Sequence, residues 1–261
     1  MQSGDNGENT IYDHRGQPEA PMQAPIIDTE YMEAVSAHLT KTLGTPSPEI
    51  MHEIVSHYVH LDVLTVPNCL GKGSTALVTC GMGCRAMNTP PDMKRYARME
   101  LAICLPPGWP PLAAGSPMTM TVPNLNAADS AHGLGPGAWI VSSLTFLARL
   151  PFRYDTWLGE GHTIPNGEPP EPICRGTRLC GEMITKPKRL GEDFHRMVAP
   201  DGGEVYFWTV TFLTAEEMEY KLRMGAEALM EKLAAQRVNE QIQLGRLSTC
   251  PKGPMGRFEH L

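Results

Sequence analysis

Alternation of apolar and polar positions along the chain predicts a series of β-strands. The clearest alternation covers 97–105, where the apolar side chains fall on one face and two prolines follow directly. The last predicted strand, 205–213, is apolar at almost every position, which is typical of a central strand buried on both faces. It follows the turn sequence Asp201-Gly202-Gly203, so a hairpin is expected there. Strands are expected in all at 59–63, 75–80, 97–105, 179–184, 194–198 and 205–213.

Apolar residues spaced three or four positions apart predict helices between these strands. The last helix opens with a capping box formed by Thr214 and Glu217, and Gly225 is expected to weaken its middle. Pro151 is expected to end the helix before it. Helices are expected from Asp28 to Gly44, from Ser47 to about Val55, from Ala138 to Leu150 and from Thr214 through Leu233. Together these elements predict an α+β fold with a central, mostly antiparallel or mixed β-sheet flanked by helices.

One folded domain is expected, because 261 residues lie at the upper edge of what a single domain usually spans. Residues 1–27 are polar, rich in Gly and Pro and without apolar periodicity, which predicts a disordered tail. The folded domain is expected at 28–235, followed by a C-terminal extension at 236–261. Residues 111–137, rich in Ala, Gly, Pro and Asn, are interpreted as a long connection.

The net charge limits the class of partner. A formal charge of -7 repels phosphate backbones, and the longest basic run, at 186–189, is too short to offset it. Nucleic acid is therefore not expected as a ligand. The same charge favours association with a basic protein, because complementary fields raise association rates.

The compartment is inferred from apolar segments and cysteines. No apolar stretch approaches the roughly 20 residues that cross a bilayer, and no signal-peptide pattern opens the sequence. The seven scattered cysteines are an odd number and suit a reducing compartment, where thiols act as small core residues. We therefore expect a cytoplasmic protein without membrane association or a disulfide framework.

Three histidines and an aspartate near the first predicted strand contain the residue types of a metal site. These residues are His52, His57, His60 and Asp62. The ordinary interpretation, a polar strand face beside the core, is favoured, and neither a metal nor another cofactor is expected. The alternative function that follows from the cluster is a metal-dependent hydrolase that uses His57, His60 and Asp62.

The segment 154–167, called here the 154–167 loop, is the most distinctive part of the sequence. Asp155, Glu160 and His162 could form an acid/base set. They could instead stabilise turns while Trp157 packs against the domain, or the loop could be a recognition surface on a rigid scaffold. The residues alone leave these three interpretations open.

Four segments in this order resemble the bacterial suppressor-of-fused-like family and span most of 28–235. They are LVTCGMG at 77–83, ELAICLPPGW at 100–109, the whole of 154–172, and EEMEYK at 216–221. Bacterial members generally carry Ser and an acidic residue where Cys80 and Cys84 stand, so the resemblance gives these two thiols no function.

The resemblance implies a non-enzymatic α+β protein-binding fold. Animal relatives hold an extended segment of a transcription factor, and bacterial relatives are linked to toxin systems as immunity proteins, often against nucleases. It therefore implies that this chain binds and neutralises a basic, nuclease-type toxin domain, without catalytic residues. The helix at 138–150 and the loop after it resemble the part that contributes to partner binding in animal relatives. The candidate partner-binding residues are Asp155, Trp157, Glu160 and His162.

Overall fold

A computed structural model describes most of the chain. It covers residues 17–21, 24–52, 58–110, 112 and 137–250, and the backbone of two short paired strands, β1 (Gly4–Asn6) and β2 (Asn9–Ile11). The sequence did not indicate this strand pair. The side chain of His52, residue His57 and nearly all of the connection expected at 111–137 lie outside the described residues.

A mixed β-sheet forms the centre of the molecule, which confirms the predicted α+β class. Its strands lie in the order β3-β4-β5-β6-β10-β8-β7, with β9 also paired to β10. Among the described strand pairs of this sheet only β6 and β10 run parallel. The strands are β3 (Met51–His52), β4 (Asp62–Pro67), β5 (Thr75–Cys80), β6 (Met99–Leu105), β7 (Thr163–Pro165), β8 (Leu179–Thr185), β9 (Arg196–Val198) and β10 (Glu204–Thr214).

Strand β10 is central, as its apolar sequence predicts. It pairs with β6 on one side and with β9 and β8 in succession on the other. The even-numbered side chains from Tyr206 to Phe212 belong to one core cluster, whereas Val205 and Phe207 belong to a second and Leu213 to a third. Both faces of β10 are therefore covered by packed side chains.

In the described part of the chain, four α-helices cover the two faces of the sheet. They are α1 (Thr29–Thr42), α2 (Trp139–Arg153), α3 (Ala215–Met224) and α4 (Ala226–Ala235). Helix α2 packs on the face with the even-numbered residues of β10, while α1 and the α3–α4 pair pack on the opposite face. Asp28, where the first helix was expected to begin, is its N-cap and accepts a hydrogen bond from the backbone N–H of Tyr31 at 3.0 Å. The capping box at Thr214 is confirmed as well.

Two predictions near the first strands were wrong. Residues 51–52 form strand β3 rather than part of a helix from Ser47, because Met51 pairs with Val63 of β4. Strand β4 itself begins at Asp62 and continues to Pro67, so the strand predicted at 59–63 lies three residues further on. Tertiary pairing outweighs the local pattern here, since β4 aligns along its whole length with β5.

Four further boundaries differ from those predicted. Pro151 lies inside α2, which continues to Arg153; in the last turn a proline costs only one hydrogen bond. Gly225, at φ 90°, does more than weaken a helix, because α3 ends and α4 begins there. The first arm of the hairpin is shorter, since β9 starts at Arg196 after a 3₁₀ turn. The segment predicted as a loop up to Arg178 contains β7.

The chain after α4 lies along the sheet and pairs with β6. Cys104 of β6 donates its N–H to the carbonyl of Glu240 at 3.0 Å and accepts from Ile242 N–H at 2.9 Å. The carboxylate of Glu240 accepts the backbone N–H groups of residues 188, 189 and 190. At the other end of the domain, Glu19 pairs with Arg153 and accepts from the Tyr58 hydroxyl.

Within the described residues, no helix is long and apolar enough to cross a membrane.

Candidate functional site

The 154–167 loop connects α2 to β7, which lies at the edge of the sheet. Its first part is a tight turn in which Asp155 has a positive φ of 47° and an exposed side chain. The turn is held against a neighbouring segment, because the side-chain amide of Asn88 donates to the carbonyl of Asp155 at 3.3 Å. The backbone N–H of Asn88 also donates to the carbonyl of Thr156 at 3.2 Å. Asp155 is therefore placed by backbone contacts, with its carboxylate facing solvent.

Trp157 and His162 form an aromatic pair within the loop. Their ring centroids lie 4.3 Å apart at 64°, an edge-to-face arrangement. Burial, together with the nearby charge of Lys221, lowers the pKa of His162 to about 4. The imidazole is therefore neutral near pH 7. The His162 ring is half-buried against Trp157.

Backbone pairing with β8 explains why His162 is held in this position. The N–H of Gly161 donates to the carbonyl of Ile184 at 2.8 Å, and the N–H of Ile184 donates to the carbonyl of His162 at 2.9 Å. The pairing continues into β7, where Ile164 lies opposite Glu182. The second half of the loop is thus an extension of an edge strand, which gives its side chains a rigid support.

Glu160 lies two residues before His162 and remains exposed. Its Oε2 is 3.8 Å from Nζ of Lys186, and both side chains are open to solvent, so the pair contributes little to stability. The loop therefore presents an exposed carboxylate and a rigid aromatic pair. Such a combination suits contact with a cationic side chain of a partner.

The catalytic interpretation of the loop has no matching geometry. None of Asp155, Glu160 and His162 is hydrogen-bonded to another of the three where the structure describes them. General acid/base work needs such groups within hydrogen-bond reach of a shared substrate atom. The structure instead brings His162 together with Trp157 and leaves Asp155 at the other end of the loop.

The histidine cluster is only partly described. Nε2 of His60 lies 3.6 Å from Oδ1 of the buried Asp62, and the backbone of His52 is in register with Asp62. Across the residues that the structure covers, no three His, Cys, Asp or Glu side chains are grouped so that they could hold a metal ion. His57, which the hydrolase alternative requires, lies outside those residues.

Sequence reasoning missed the burial of the carboxylates of Glu100 and Glu182. Glu100 on β6 accepts hydrogen bonds from the Tyr31 hydroxyl at 2.7 Å and from the N–H groups of Gly81 and Gly83 at 3.0 and 2.9 Å. Glu182 on β8 accepts a hydrogen bond from Ser143 of α2. Burial raises the pKa of both carboxyl groups, that of Glu182 to about 7. Both residues alternate with apolar neighbours, and this pattern cannot distinguish a solvent-facing glutamate from one covered by a helix.

Trp157→Ala is expected to lower the free energy of unfolding by about 2 kcal/mol, less than for a fully buried tryptophan. The indole contacts the His162 ring and covers Gly159, where an added Cβ would overlap it. Urea unfolding measures the loss. Trp157→Phe keeps an aromatic ring against His162 and should lose clearly less; equal losses for the two variants would contradict an anchoring role for the ring.

The fold is an α+β domain with a mixed sheet, helices on both faces and a loop at one edge of the sheet. This fold and the sequence can be compared with those of known proteins. The sequence model of the family described as suppressor of fused protein (SUFU) matches residues 57–247. The chain belongs to the suppressor of fused family. No curated protein sequence matches the chain.

Three solved structures share the fold. A SUFU homologue from Neisseria gonorrhoeae is 16% identical with a TM-score of 0.59, covering 87% of this chain and 100% of its own. The structure of the Sufu–Fu complex is 13% identical with a TM-score of 0.55, covering 84% and 92%. Drosophila Suppressor of Fused is 12% identical with a TM-score of 0.54, and the match covers 86% of this chain but 54% of that protein. The chain therefore spans about half of the Drosophila protein.

Proposed function

We propose that the chain is a non-enzymatic protein-binding module that acts in the cytoplasm, where it binds and neutralises a basic, nuclease-type toxin domain. The observation that carries the proposal is the family match over residues 57–247. The related protein in the Sufu–Fu complex is described as part of an assembly of two proteins, which supports a protein partner for this chain. The formal charge of -7 supports a basic partner.

The 154–167 loop is proposed as part of the binding surface, through Asp155, Trp157, Glu160 and His162. The aromatic pair is supported by the pairing of residues 161–162 with Ile184, so little conformational freedom is lost when a partner binds. Glu160 is exposed and lies two residues before His162 in the same loop. A lysine or arginine of a basic toxin could pair with this carboxylate.

The proposal expects a neighbouring gene to encode a nuclease-type toxin domain, and the test uses the domain found there. Nucleic-acid cleavage by the purified domain should stop when the chain is added in equimolar amount, and the two proteins should elute together in gel filtration. Binding should weaken as salt rises, because opposite net charges favour association. Full cleavage in the presence of excess chain would contradict the immunity role.

Glu160→Lys should raise the dissociation constant of that complex about tenfold or more, since a charge reversal faces a basic surface. The matched control is Glu33→Lys on α1, an exposed acidic residue on the opposite face of the sheet, which makes the same change in net charge. It should alter binding much less. Titration calorimetry at physiological salt measures both, and equal effects of the two variants would remove Glu160 from the proposed surface.

A further inference from the structure

The segment 17–21, called here the N-terminal clasp, lies against the C-terminal end of α2. The N–H of Ala20 donates to the carbonyl of Arg153, the last residue of α2, at 2.8 Å. Nε of Arg153 donates to Oε1 of Glu19 at 2.8 Å, and Nη2 donates to the same oxygen. The Tyr58 hydroxyl donates to the other carboxylate oxygen of Glu19. Backbone and side-chain contacts together therefore hold the clasp on the folded domain.

Two arginines meet at this end of α2. Arg153 ends the helix, and Cζ of Arg85 lies 5.9 Å from the centroid of the Phe152 ring in the last turn. Arg85 also donates to the carbonyl of Tyr58 at 3.2 Å. Glu19 supplies a negative charge to this group, since it accepts from Arg153 and from the hydroxyl of the same Tyr58. The clasp thus offsets positive charge at the end of the helix.

The ion pair adjoins the proposed partner-binding surface. Arg153 lies two residues before Asp155 of the 154–167 loop, so their Cα atoms are at most about 7 Å apart. This separation is shorter than the Debye length, about 8 Å at physiological salt, so a partner at the loop interacts with both charges. The side chains of Arg153 and Glu19 are 26% and 45% exposed, and both are therefore open to such a partner.

We propose that Glu19 extends the partner-binding surface of the 154–167 loop, because it neutralises Arg153 and presents its own carboxylate to a basic partner. This inference rests on the proposed function, since the clasp has this role only toward a basic protein. Without Glu19, the positive charge of Arg153 would lie uncompensated beside Asp155 and repel a basic surface. The N-terminal clasp is therefore part of the interface in this proposal.

Glu19→Gln and Arg153→Gln test the proposal, because they disrupt the same ion pair but change the charge in opposite directions. Glu19→Gln should raise the dissociation constant for the toxin domain about threefold or more, mainly through slower association. Arg153→Gln should lower it by a similar factor, since the backbone bond from Ala20 and the Tyr58 hydroxyl still hold Glu19 in place. If the pair only stabilised the end of α2, the two variants would change binding in the same direction or not at all, and either result would overturn the proposal.

Matched controls make the same charge changes on α1, which packs on the opposite face of the sheet from α2. They are Glu33→Gln and Lys41→Gln, both at exposed positions. Each should alter the dissociation constant less than about twofold. Effects as large as those of Glu19→Gln and Arg153→Gln would show that net charge alone acts, and would overturn the assignment to the clasp. Surface plasmon resonance at physiological salt measures association and dissociation rates of all four variants.

Docking of the clasp can be measured without a partner. The Ala20 amide, which donates to the Arg153 carbonyl, should exchange its hydrogen at least about tenfold more slowly than in an unstructured peptide, as followed by NMR. Exchange at the unstructured rate would overturn the proposal whether or not the toxin domain binds. A protected Ala20 amide in a chain that does not bind the toxin domain would instead reject the proposed function, and the role of Glu19 with it.

Discussion

Arg246→Ala is expected to lower the free energy of unfolding by about 3 to 5 kcal/mol, because it leaves a buried carboxylate without its counter-charge. Nη1 and Nη2 of Arg246 donate to the two carboxylate oxygens of Glu217 at 2.6 and 2.5 Å. The side chain of Glu217 is 0% exposed and that of Arg246 is 7% exposed. Burial raises the pKa of Glu217, but the hydrogen bonds and the charge of Arg246 outweigh this effect and hold the pKa below its ordinary value. The glutamate is therefore ionised at neutral pH.

A matched control is available at the surface. Arg196 and Glu204 form an ion pair of the same 2.5 Å length, but their side chains are 55% and 37% exposed. Arg196→Ala should cost less than about 1 kcal/mol, because water solvates both charges. Urea unfolding at pH 7 measures both variants. Similar losses for Arg196→Ala and Arg246→Ala would show that the buried pair contributes no more to the free energy of unfolding than the exposed pair.

The Arg246 variant also tests the expected domain boundary at 235. Arg246 lies beyond that boundary, yet Nη2 donates to the carbonyl of Phe212 on β10 at 2.6 Å, and the family match continues to residue 247. A segment that only follows a complete domain would contribute little to its stability. A large loss on removing this one side chain would place residues 236–250 within the folding unit.

Elements controlled by neighbouring residues could be predicted from the sequence. Strand β5 has the bounds 75–80 that alternation predicts, and the capping box opens α3 at Thr214, because both signals depend on residues within one turn or one strand. The predictions failed where pairing with a distant strand determines the local structure. Strand β3 exists because Met51 finds Val63, and the helix propensity around it cannot report that partner.

In the candidate site, too, some features depend on neighbouring residues and others on pairing with a distant strand. Its position in the distinctive 154–167 loop could be found from composition, since Gly, Trp and charged residues are concentrated there. Its geometry could not, because His162 meets Trp157 only after the chain has paired with Ile184 of β8.

The packing of α2 over Glu182 can be tested by the pH dependence of stability. Burial beneath α2 raises the pKa of the Glu182 carboxyl group to about 7. The folded state therefore binds the proton more tightly than the unfolded state, in which a glutamate titrates near 4.3. The resulting stability is present at low pH and is lost as pH rises through about 7. His162 acts in the opposite direction, since its lowered pKa costs stability as pH falls from about 6.5 toward 4. The two effects oppose each other in the unmodified chain.

Comparison with Glu182→Gln separates these contributions, because His162 titrates in both proteins and its effect cancels. Gln keeps the size of the side chain and an oxygen that can accept from Ser143, but it does not titrate. The stability of the unmodified chain relative to the variant should fall by about 2 to 3 kcal/mol between pH 5 and pH 8. Urea unfolding at both pH values measures this difference. Glu204→Gln is the matched control; its carboxyl is exposed and its pKa is lowered by hydrogen bonds from Tyr206 and Arg196, so no such fall is expected. A constant difference between the unmodified chain and Glu182→Gln at the two pH values would show that Glu182 is solvated rather than enclosed between α2 and β8.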